Sequence, residues 1–144
     1  MIAVDTNILV YAHRRDSQFH TQADAVITKL AEGNEEWAIP WPCLHEFYAI
    51  VTHQRIYNPP TSVNDAIIQI ECWLESPSLR LIGELSDYWS DLKQVLKASK
   101  TQGAHVHDIR IAAICLQHNV TALWSADRDF SRVPQLSIIN PLIK

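Results

Sequence analysis

The sequence is poor in glycine, and it has no apolar run long enough to cross a bilayer. Only three of its 144 residues are glycine, so it has no glycine-rich loop of the kind that cradles phosphates in nucleotide-binding proteins. No stretch approaches the roughly 20 apolar residues that a membrane-spanning helix needs. The first residues also lack the basic start and apolar core of a secretory signal. We therefore expect a cytoplasmic protein without a membrane segment.

Cysteine is scarce as well, and its pattern indicates neither a disulfide framework nor a zinc site. Cys43, Cys72 and Cys115 each lie in an apolar periodic segment, their number is odd, and no C-x-x-C pair occurs. This pattern predicts reduced, buried thiols. The histidines that precede Glu46 and Asp108 do not have the ligand spacing of a zinc site either.

What the sequence does contain is the composition of a folded protein. Hydrophobic residues make up 47% of the chain and charged residues 19%, which is typical of a globular protein rather than a disordered one. No repeat or low-complexity linker interrupts residues 1–144, so we expect one domain over that range. The net charge of −4 argues against a protein that coats nucleic acid with a basic surface. It leaves a nuclease open, because acids that hold cations make the total charge more negative.

Short apolar runs alternate with segments of helical periodicity along the chain. The runs that predict strands are Ile2–Val4, Trp37–Ile39, Leu79–Ile82, Val120–Trp124 and Leu136–Ile139. The segments that predict helices lie at 19–32, from 42 to about 51, and at 62–74, 87–98 and 107–117. In the helix over 62–74, the expected apolar stripe is Val63, Ala66, Ile67, Ile70 and Leu74. This alternation predicts an α/β fold with a mostly parallel sheet of about five strands.

Four acids stand where such a topology gathers its loops. Asp5 directly follows the first strand and Asp127 the fourth, while Glu46 and Asp108 lie in the first turns of helices. Ligand sites in an open parallel sheet form beyond the carboxyl ends of its strands, so we expect these acids near one rim. Each has a simpler interpretation when taken alone. Asp5 and Asp127 can cap a helix, the helix dipole favours Asp108, and Glu46 can lie on a solvated helix face.

A group of four acids has an electrostatic cost that a bound cation removes. Two unit charges about 4 Å apart repel by roughly 4 kcal/mol at an effective dielectric near 20, so clustered carboxylates either raise their pKa values or bind a cation. Oxygen ligands without histidine or cysteine suit Mg²⁺ or Mn²⁺. A site of this kind can lower the pKa of a bound water and present it to a phosphodiester. The residues alone therefore predict a divalent-metal site.

Four segments taken together resemble the PIN-domain nucleases. They are Val4–Leu9 (VDTNIL), Leu44–Phe47 (LHEF), His107–Ala113 (HDIRIAA) and Ser125–Phe130 (SADRDF). Their order and intervals, with the length of the chain, are similar to those of the VapC-type toxins of bacterial toxin–antitoxin pairs, and the resemblance covers essentially the whole chain. Two departures from the common pattern occur. Ile109 stands where a small residue is usual, which would narrow the pocket, and Ser125 stands where threonine is more frequent but keeps the hydroxyl.

The resemblance implies a three-layer α/β/α sandwich and an endoribonuclease that depends on Mg²⁺ or Mn²⁺. The implied catalytic and metal-binding residues are Asp5, Glu46, Asp108 and Asp127. Asp129 would be an auxiliary acid that binds metal through water, and Thr6 or Asn7 would orient Asp5 or a water. The resemblance further implies an RNA substrate, a homodimer, and a small antitoxin protein that inserts a segment near the acidic pocket.

Arginines and one tryptophan near these motifs are candidates for contacts with RNA. Those that would contact substrate phosphates are Arg14, Arg110 and Arg128, with Arg15 and Arg132 close by in the sequence. Each is equally well explained as ordinary solvated surface charge. Trp37 and Trp124 lie in predicted strands and are expected in the core. Trp41, at the exit of a strand, is the candidate for stacking on a base.

Two functions of other classes remain open. One is a phosphatase or phosphoacceptor domain with a nucleophilic aspartate, which needs a second acid beside the first-strand aspartate or two residues after it. Here Asn7 stands two residues after Asp5, and no lysine stands at the end of the fourth strand. The other is a PIN-like scaffold that binds RNA or a partner without cutting. The presence of all four acids favours the nuclease.

Overall fold

Short strands and helices alternate along the whole chain. The computed structural model describes residues 1–127, 130 and 133–143. In these residues the strands are β1 (Ile2–Val4), β2 (Trp37–Pro40), β3 (Leu79–Ile82), β4 (Ala122–Trp124) and β5 (Ser137–Ile139). The helices are α1 (Thr6–His13), α2 (His20–Glu32), α3 (Trp41–Val51), α4 (Val63–Leu74), α5 (Tyr88–Ser99) and α6 (Val106–Gln117), with one 3₁₀ turn at Gly103–His105. The predicted strands are all present, and α1 is an additional helix that the periodicity did not indicate.

The five strands form one parallel sheet in the order β3-β2-β1-β4-β5. From β1 the chain moves outward through β2 to β3, and then returns to place β4 on the other side of β1. Because crossovers between parallel strands are right-handed, this reversal puts α1–α4 on one face of the sheet and α5–α6 on the other. Within these groups α1 packs on α2 and α3, and α5 packs on α6. The predicted three-layer α/β/α fold with a parallel five-stranded sheet is confirmed.

The reversal of strand order beside β1 creates a crevice at the carboxyl ends of β1 and β4. Ile2 pairs with Trp37 of β2 on one side and with Ala122 of β4 on the other. The connections that leave β1 and β4 therefore run to opposite faces of the sheet, and the gap between them is where open α/β sheets bind ligands. Asp5 enters this gap from β1, and the residues that follow Trp124 enter it from β4.

The core lies between the sheet and the helices, and β1 and β2 contribute fully buried residues to it. Ala3 and Val4 of β1 and Trp37, Ala38 and Ile39 of β2 are fully buried. Central parallel strands covered on both faces are expected to be apolar throughout, and both runs are. The prediction that Trp37 belongs to the core is confirmed, whereas Trp124 at the end of β4 is only half-buried. Among the described residues, no helix is long and apolar enough to cross a membrane.

The predicted apolar stripe of α4 is the clearest error in the secondary-structure interpretation. Ala66 is fully buried, but Val63, Ile67 and Leu74 are 57%, 43% and 46% exposed. Trp73 takes their place, with its ring 4.8 Å from that of Phe47 in an edge-on contact. A tryptophan ring buries far more apolar surface than an aliphatic side chain. The helix is therefore rotated toward Trp73, so that Ala66 and the partly buried Ile70 keep their inward positions while the other three residues of the stripe face solvent.

Two smaller predictions about single residues are also wrong. Cys72 is exposed on α4, because it shares the outward face of the rotated helix, whereas Cys43 and Cys115 are buried as predicted. Ile109 does not narrow a pocket, because its side chain is 3% exposed and is part of the hydrophobic core. All three cysteines are free thiols, as expected from their spacing.

Candidate functional site

Asp5 lies at the junction of β1 and α1 with almost no access to solvent. Its side chain is 5% exposed, and its backbone is extended, as befits the residue that caps a helix. Oδ1 accepts a hydrogen bond of 2.8 Å from the backbone N–H of Thr6. Asp5 is therefore a helix cap, as its simpler interpretation predicted. Burial distinguishes it from an ordinary cap, because charged side chains are seldom buried without a special reason.

The other oxygen of Asp5 is held by Ser125, at the carboxyl end of β4. The Ser125 hydroxyl donates to Oδ2 of Asp5 at 2.7 Å and accepts the backbone N–H of Asp127 at 2.9 Å. Asn7 completes the arrangement, since its Nδ2 donates to the Ser125 oxygen at 3.3 Å and its Oδ1 accepts the N–H of Ala126 at 3.1 Å. The ends of β1 and β4 are thereby tied together by side chains.

Thr6 extends the same network toward α3. Its side chain is 5% exposed, and its hydroxyl donates to Oε2 of Glu46 at 2.8 Å. Cys43, one turn before Glu46 on α3, points its thiol at Asp5, with Sγ 3.7 Å from Oδ1. Pro42 lies in the first turn of α3 and can start the helix there, because it has no N–H to leave unpaired. The helix therefore begins immediately at the end of β2 and carries Glu46 to the rim.

The surroundings of Asp5 favour its protonated form. Burial raises the pKa of Asp5 from 3.8 to about 6, against hydrogen bonds from Ser125 and Thr6 that lower it, and the charge of Glu46 raises it further. Burial and the nearby charge of Asp5 also raise the pKa of Cys115 to about 12 and that of Cys43 well above its usual value. These two thiols are inert at neutral pH. A cation beside Asp5 would oppose the effect of burial.

The four predicted acids are placed as follows. Ser125 links the carboxylate of Asp5 to the backbone N–H of Asp127, and the hydroxyl of Thr6, the neighbour of Asp5, donates to Glu46. Asp108 is half-buried in the first turn of α6, and its Oδ2 lies 4.0 Å from Nδ1 of His105. Among the described residues, no three acidic, histidine or cysteine side chains are grouped so as to hold a metal ion. The assignment of all four acids as metal ligands stays a prediction.

The sequence also suggests residues that would flank the four acids, and the structure describes two of them, Arg14 and Arg110. Arg14 forms an ion pair with Asp16 at 2.7 Å, and its guanidinium lies 4.3 Å from the centre of the Tyr57 ring. Arg110 pairs with Glu84 at 2.9 Å, with both side chains partly exposed. Arg128, Asp129 and Arg132 lie outside the described residues. The roles of the arginines as phosphate contacts stay predictions, as does that of Asp129 as an auxiliary acid.

Ser125 is the site residue whose importance the sequence analysis missed. Ser125 is 1% exposed. Its hydroxyl donates to Asp5 and accepts from two N–H groups. The sequence offered one signal, a serine directly after a buried strand and two residues before an acid. Asn7 was proposed to orient Asp5 or a water, but its described contacts hold the loop that follows β4.

Comparison with known proteins shows the family to which this chain is similar. The PIN domain family model matches residues 2–136. Ribonuclease VapC43 of Mycobacterium tuberculosis is 33% identical over 142 residues, which cover 99% of this chain and 96% of that protein. A crystal structure of VapBC2 from Rickettsia felis, bound to a DNA fragment from its promoter, matches with a TM-score of 0.67 and 22% identity. That alignment covers 96% of this chain and 98% of the other.

A second solved structure has the same fold. A toxin–antitoxin complex from Klebsiella pneumoniae matches with a TM-score of 0.60 and 17% identity, covering 98% of each chain. At these identities the two structures establish the shared fold, and the family rests on the sequence matches. A family match over nearly the whole chain, and a relative one-third identical from end to end, show that this chain belongs to the PIN-domain family, among the VapC ribonucleases.

Proposed function

We propose that this chain is a divalent-metal-dependent endoribonuclease, that residues 1–144 act as one nuclease domain, and that RNA phosphodiesters are hydrolysed at the crevice between β1 and β4. The observation that carries the proposal is the buried carboxylate of Asp5. It is tied through Ser125 to the backbone of Asp127, and the neighbouring Thr6 is hydrogen-bonded to Glu46. A carboxylate that is buried at the ligand-binding crevice of the sheet, where burial disfavours its charged form, is typical of a functional group.

The donor set fits a hard divalent cation. PIN-domain VapC nucleases depend on metal in general, and carboxylate oxygens without histidine or thiolate ligands suit Mg²⁺ or Mn²⁺. The residues that would hold the ion are Asp5, Glu46, Asp108 and Asp127. When bound, the cation would polarise the phosphodiester and make water a better nucleophile at neutral pH. The elevated pKa of Asp5 supports this assignment, because the site is electrostatically incomplete without a positive charge.

The other residues of the network act by holding these carboxylates in place. Ser125 and the Thr6 backbone N–H hold the two oxygens of Asp5, and the Thr6 hydroxyl holds Oε2 of Glu46. Fixed carboxylates do not have to reorganise when the reaction begins, and such preorganisation is a large part of electrostatic catalysis. Arg110 and Arg128 are proposed to contact RNA phosphates, and Asp129 to act as the auxiliary acid.

The proposal is tested by RNA cleavage in the wild type and in Asp5→Asn. We expect the wild type to cut single-stranded RNA with Mg²⁺ or Mn²⁺ and to stop in EDTA, and the variant to lose at least about a hundredfold in rate. The matched control is Asp24→Asn, the same substitution at an exposed position of α2, which should keep full activity. Cleavage that continues in EDTA, or undiminished cleavage by Asp5→Asn, refutes the mechanism.

The same relatives suggest the partners and the compartment. Solved structures of similar fold include a toxin–antitoxin complex, and we propose a small antitoxin protein as the partner of this chain. We also propose a homodimer, supported by the exposed apolar side chains Val63, Ile67 and Leu74 on α4, because contiguous apolar surface is typical of protein interfaces. Three free thiols fit the reducing environment of the cytoplasm.

A scaffold that binds RNA without cutting it is the second candidate. The sequence leaves it open because binding of RNA does not by itself require catalysis. The cleavage experiment separates the two functions when RNA binding is measured beside it. Binding without cleavage in every divalent metal tested would favour the scaffold, and metal-dependent cleavage excludes it.

A further inference from the structure

Trp41 and His45 form an aromatic pair on the solvent side of α3. Trp41 is 45% exposed, and the centres of the two rings lie 6.2 Å apart with an angle of 31° between their planes. The residues between them, Pro42, Cys43 and Leu44, are all buried. The pair is therefore presented outward by a helix whose opposite face is fixed in the core.

The surroundings of Trp41 hold its ring in a defined position. Pro40 at the end of β2 is in register with Ile82 of β3, so the next residues of both strands, Trp41 and Gly83, lie side by side. A Cβ at Gly83 would lie 3.4 Å from Cδ1 of Trp41, which means that the ring rests against a residue without a side chain. The carbonyl of Gly83 accepts a hydrogen bond of 2.8 Å from Nε2 of His118, which anchors this support to the end of α6.

The pair is adjacent to the proposed catalytic carboxylates. His45 directly precedes Glu46, and Trp41 lies five residues before it, which is about 7.5 Å along the helix axis. Cys43, between the two aromatic residues, is the residue whose thiol lies 3.7 Å from Asp5. An RNA whose phosphate reaches the carboxylates therefore brings a neighbouring nucleotide to the aromatic pair.

We propose that Trp41 and His45 are a stacking platform for an unpaired base next to the cleaved phosphodiester. The inference rests on the proposed function and adds to it the residues that would hold a base. An acidic crevice repels a polyanion, and the positive charge of Arg110, which is proposed to contact a phosphate, is partly offset by its ion pair with Glu84. Stacking on an aromatic ring supplies binding energy that needs no net positive charge. It requires a base outside a duplex, because a paired base has both faces covered.

The first test measures binding alone, so that it does not depend on cleavage. Metal-free protein in EDTA is titrated into a fluorescein-labelled RNA octamer and the dissociation constant is read from fluorescence anisotropy. We expect Trp41→Leu to weaken binding by about fivefold or more, and Trp41→Phe to retain most of it, because phenylalanine keeps an aromatic face. Trp89→Leu is the matched control, since Trp89 is a 64% exposed tryptophan on α5. It should bind as the wild type does.

The second test asks whether Trp41 contacts a base or only the backbone. Octamers with one abasic nucleotide, moved through each position, are titrated into the wild type and Trp41→Leu. A stacked base requires one position at which the abasic change costs the wild type about fivefold and the variant almost nothing. Additive effects at all positions would overturn the platform, as would equal binding by Trp41→Leu and Trp89→Leu. Thermal unfolding of each variant checks that the fold is intact.

Failure of this inference is distinguishable from failure of the proposed function. With metal, Trp41→Leu should raise KM for the octamer and leave kcat nearly unchanged, because stacking is equally strong in the ground and transition states. Wild-type cleavage with no effect of Trp41 refutes only the platform. Binding that depends on Trp41, without cleavage in any metal, refutes only the nuclease. If the wild type binds no single-stranded RNA, both are wrong.

Discussion

Stability of the metal-free protein should depend on pH through Asp5. The pKa of this buried carboxyl is raised from 3.8 to about 6 by burial. A carboxyl with a higher pKa in the folded state binds its proton more tightly when folded, so stability is lost as pH rises from about 4 to beyond 6. The test therefore varies pH in EDTA and compares how stability changes in the wild type and in Asp5→Asn, whose amide has no proton to lose.

The size of the effect follows from the shift in pKa. Ionised Asp5 costs about 3 kcal/mol of folding free energy well above pH 6, since each unit of pKa corresponds to about 1.4 kcal/mol. Between pH 5 and pH 7.5 the ionisation of Asp5 should lower the free energy of unfolding by about 1.4 kcal/mol. Other acids and the histidines titrate in both proteins and add the same dependence to each. The difference between the two slopes isolates Asp5.

The assay is urea unfolding in EDTA, with the free energy of unfolding determined at several pH values. Only the slope is diagnostic, because Asp5→Asn also changes the absolute stability. An amide nitrogen facing Ser125 would give that hydroxyl oxygen a third donor, beyond Asp127 and Asn7, and it has only two lone pairs. The wild type should lose about 1.4 kcal/mol more than Asp5→Asn as pH rises from 5 to 7.5. Asp24→Asn, at an exposed position, should keep the wild-type slope.

Metal provides the second half of the experiment. If Asp5 is a metal ligand, saturating Mg²⁺ or Mn²⁺ holds its carboxylate ionised in the folded state, so the excess slope of the wild type should disappear or reverse. Parallel free-energy curves for the wild type and Asp5→Asn in EDTA would refute the argument from burial. An excess slope that persists unchanged in saturating metal would refute Asp5 as a ligand.

Further substitutions test the contacts around this carboxylate and the proposed interface. Ser125→Ala should lower the free energy of unfolding by about 1.5–3 kcal/mol, because it removes a hydrogen bond to a charged group, and Ser125→Thr should restore it in urea unfolding. Thr6→Val should lower kcat for RNA cleavage by about tenfold, because Glu46 loses its orienting donor; equal kcat in Thr6→Val and Thr6→Ser would contradict this. Ile67→Asp should give a monomer in light scattering, and an unchanged mass would exclude α4 as the dimer interface.

The fold was predictable because the chain repeats one simple pattern. The three inner strands, β1, β2 and β4, are short, purely apolar runs, and parallel strands covered on both faces require such runs. The helix over 62–74 was found by the same periodicity, yet its orientation was wrong. Periodicity treats Trp73 and Leu74 as comparable, whereas the structure buries the larger ring against Phe47 and leaves Leu74 exposed. Which apolar face a helix buries depends on its tertiary neighbours, and a single sequence does not contain those explicitly.

The site was predictable only in its outline. Asp5, Glu46 and Asp127 were placed near one rim because residues that follow parallel strands, or start the next helices, meet there, and their assignment as site residues stays a prediction. The links between them were not predictable, because they join residues far apart in the chain. Ser125 is 120 residues from Asp5, and Thr6 is 40 residues from Glu46. The place of Ser125, directly after a strand and two residues before an acid, was a signal of interest, but it does not distinguish a solvated hydroxyl from one that bridges two strands.

The same network explains why Asp5 is both a helix cap and a candidate metal ligand. A cap uses one carboxylate oxygen, and Thr6 takes Oδ1 in this role. The remaining oxygen would face solvent in an ordinary cap, but here it is buried and meets the Ser125 hydroxyl. Neutral donors hold both oxygens of the carboxylate without neutralising its charge, and so its pKa stays raised. Hydrogen bonds thus account for the position of Asp5, and the proposed cation would account for an acid being retained there.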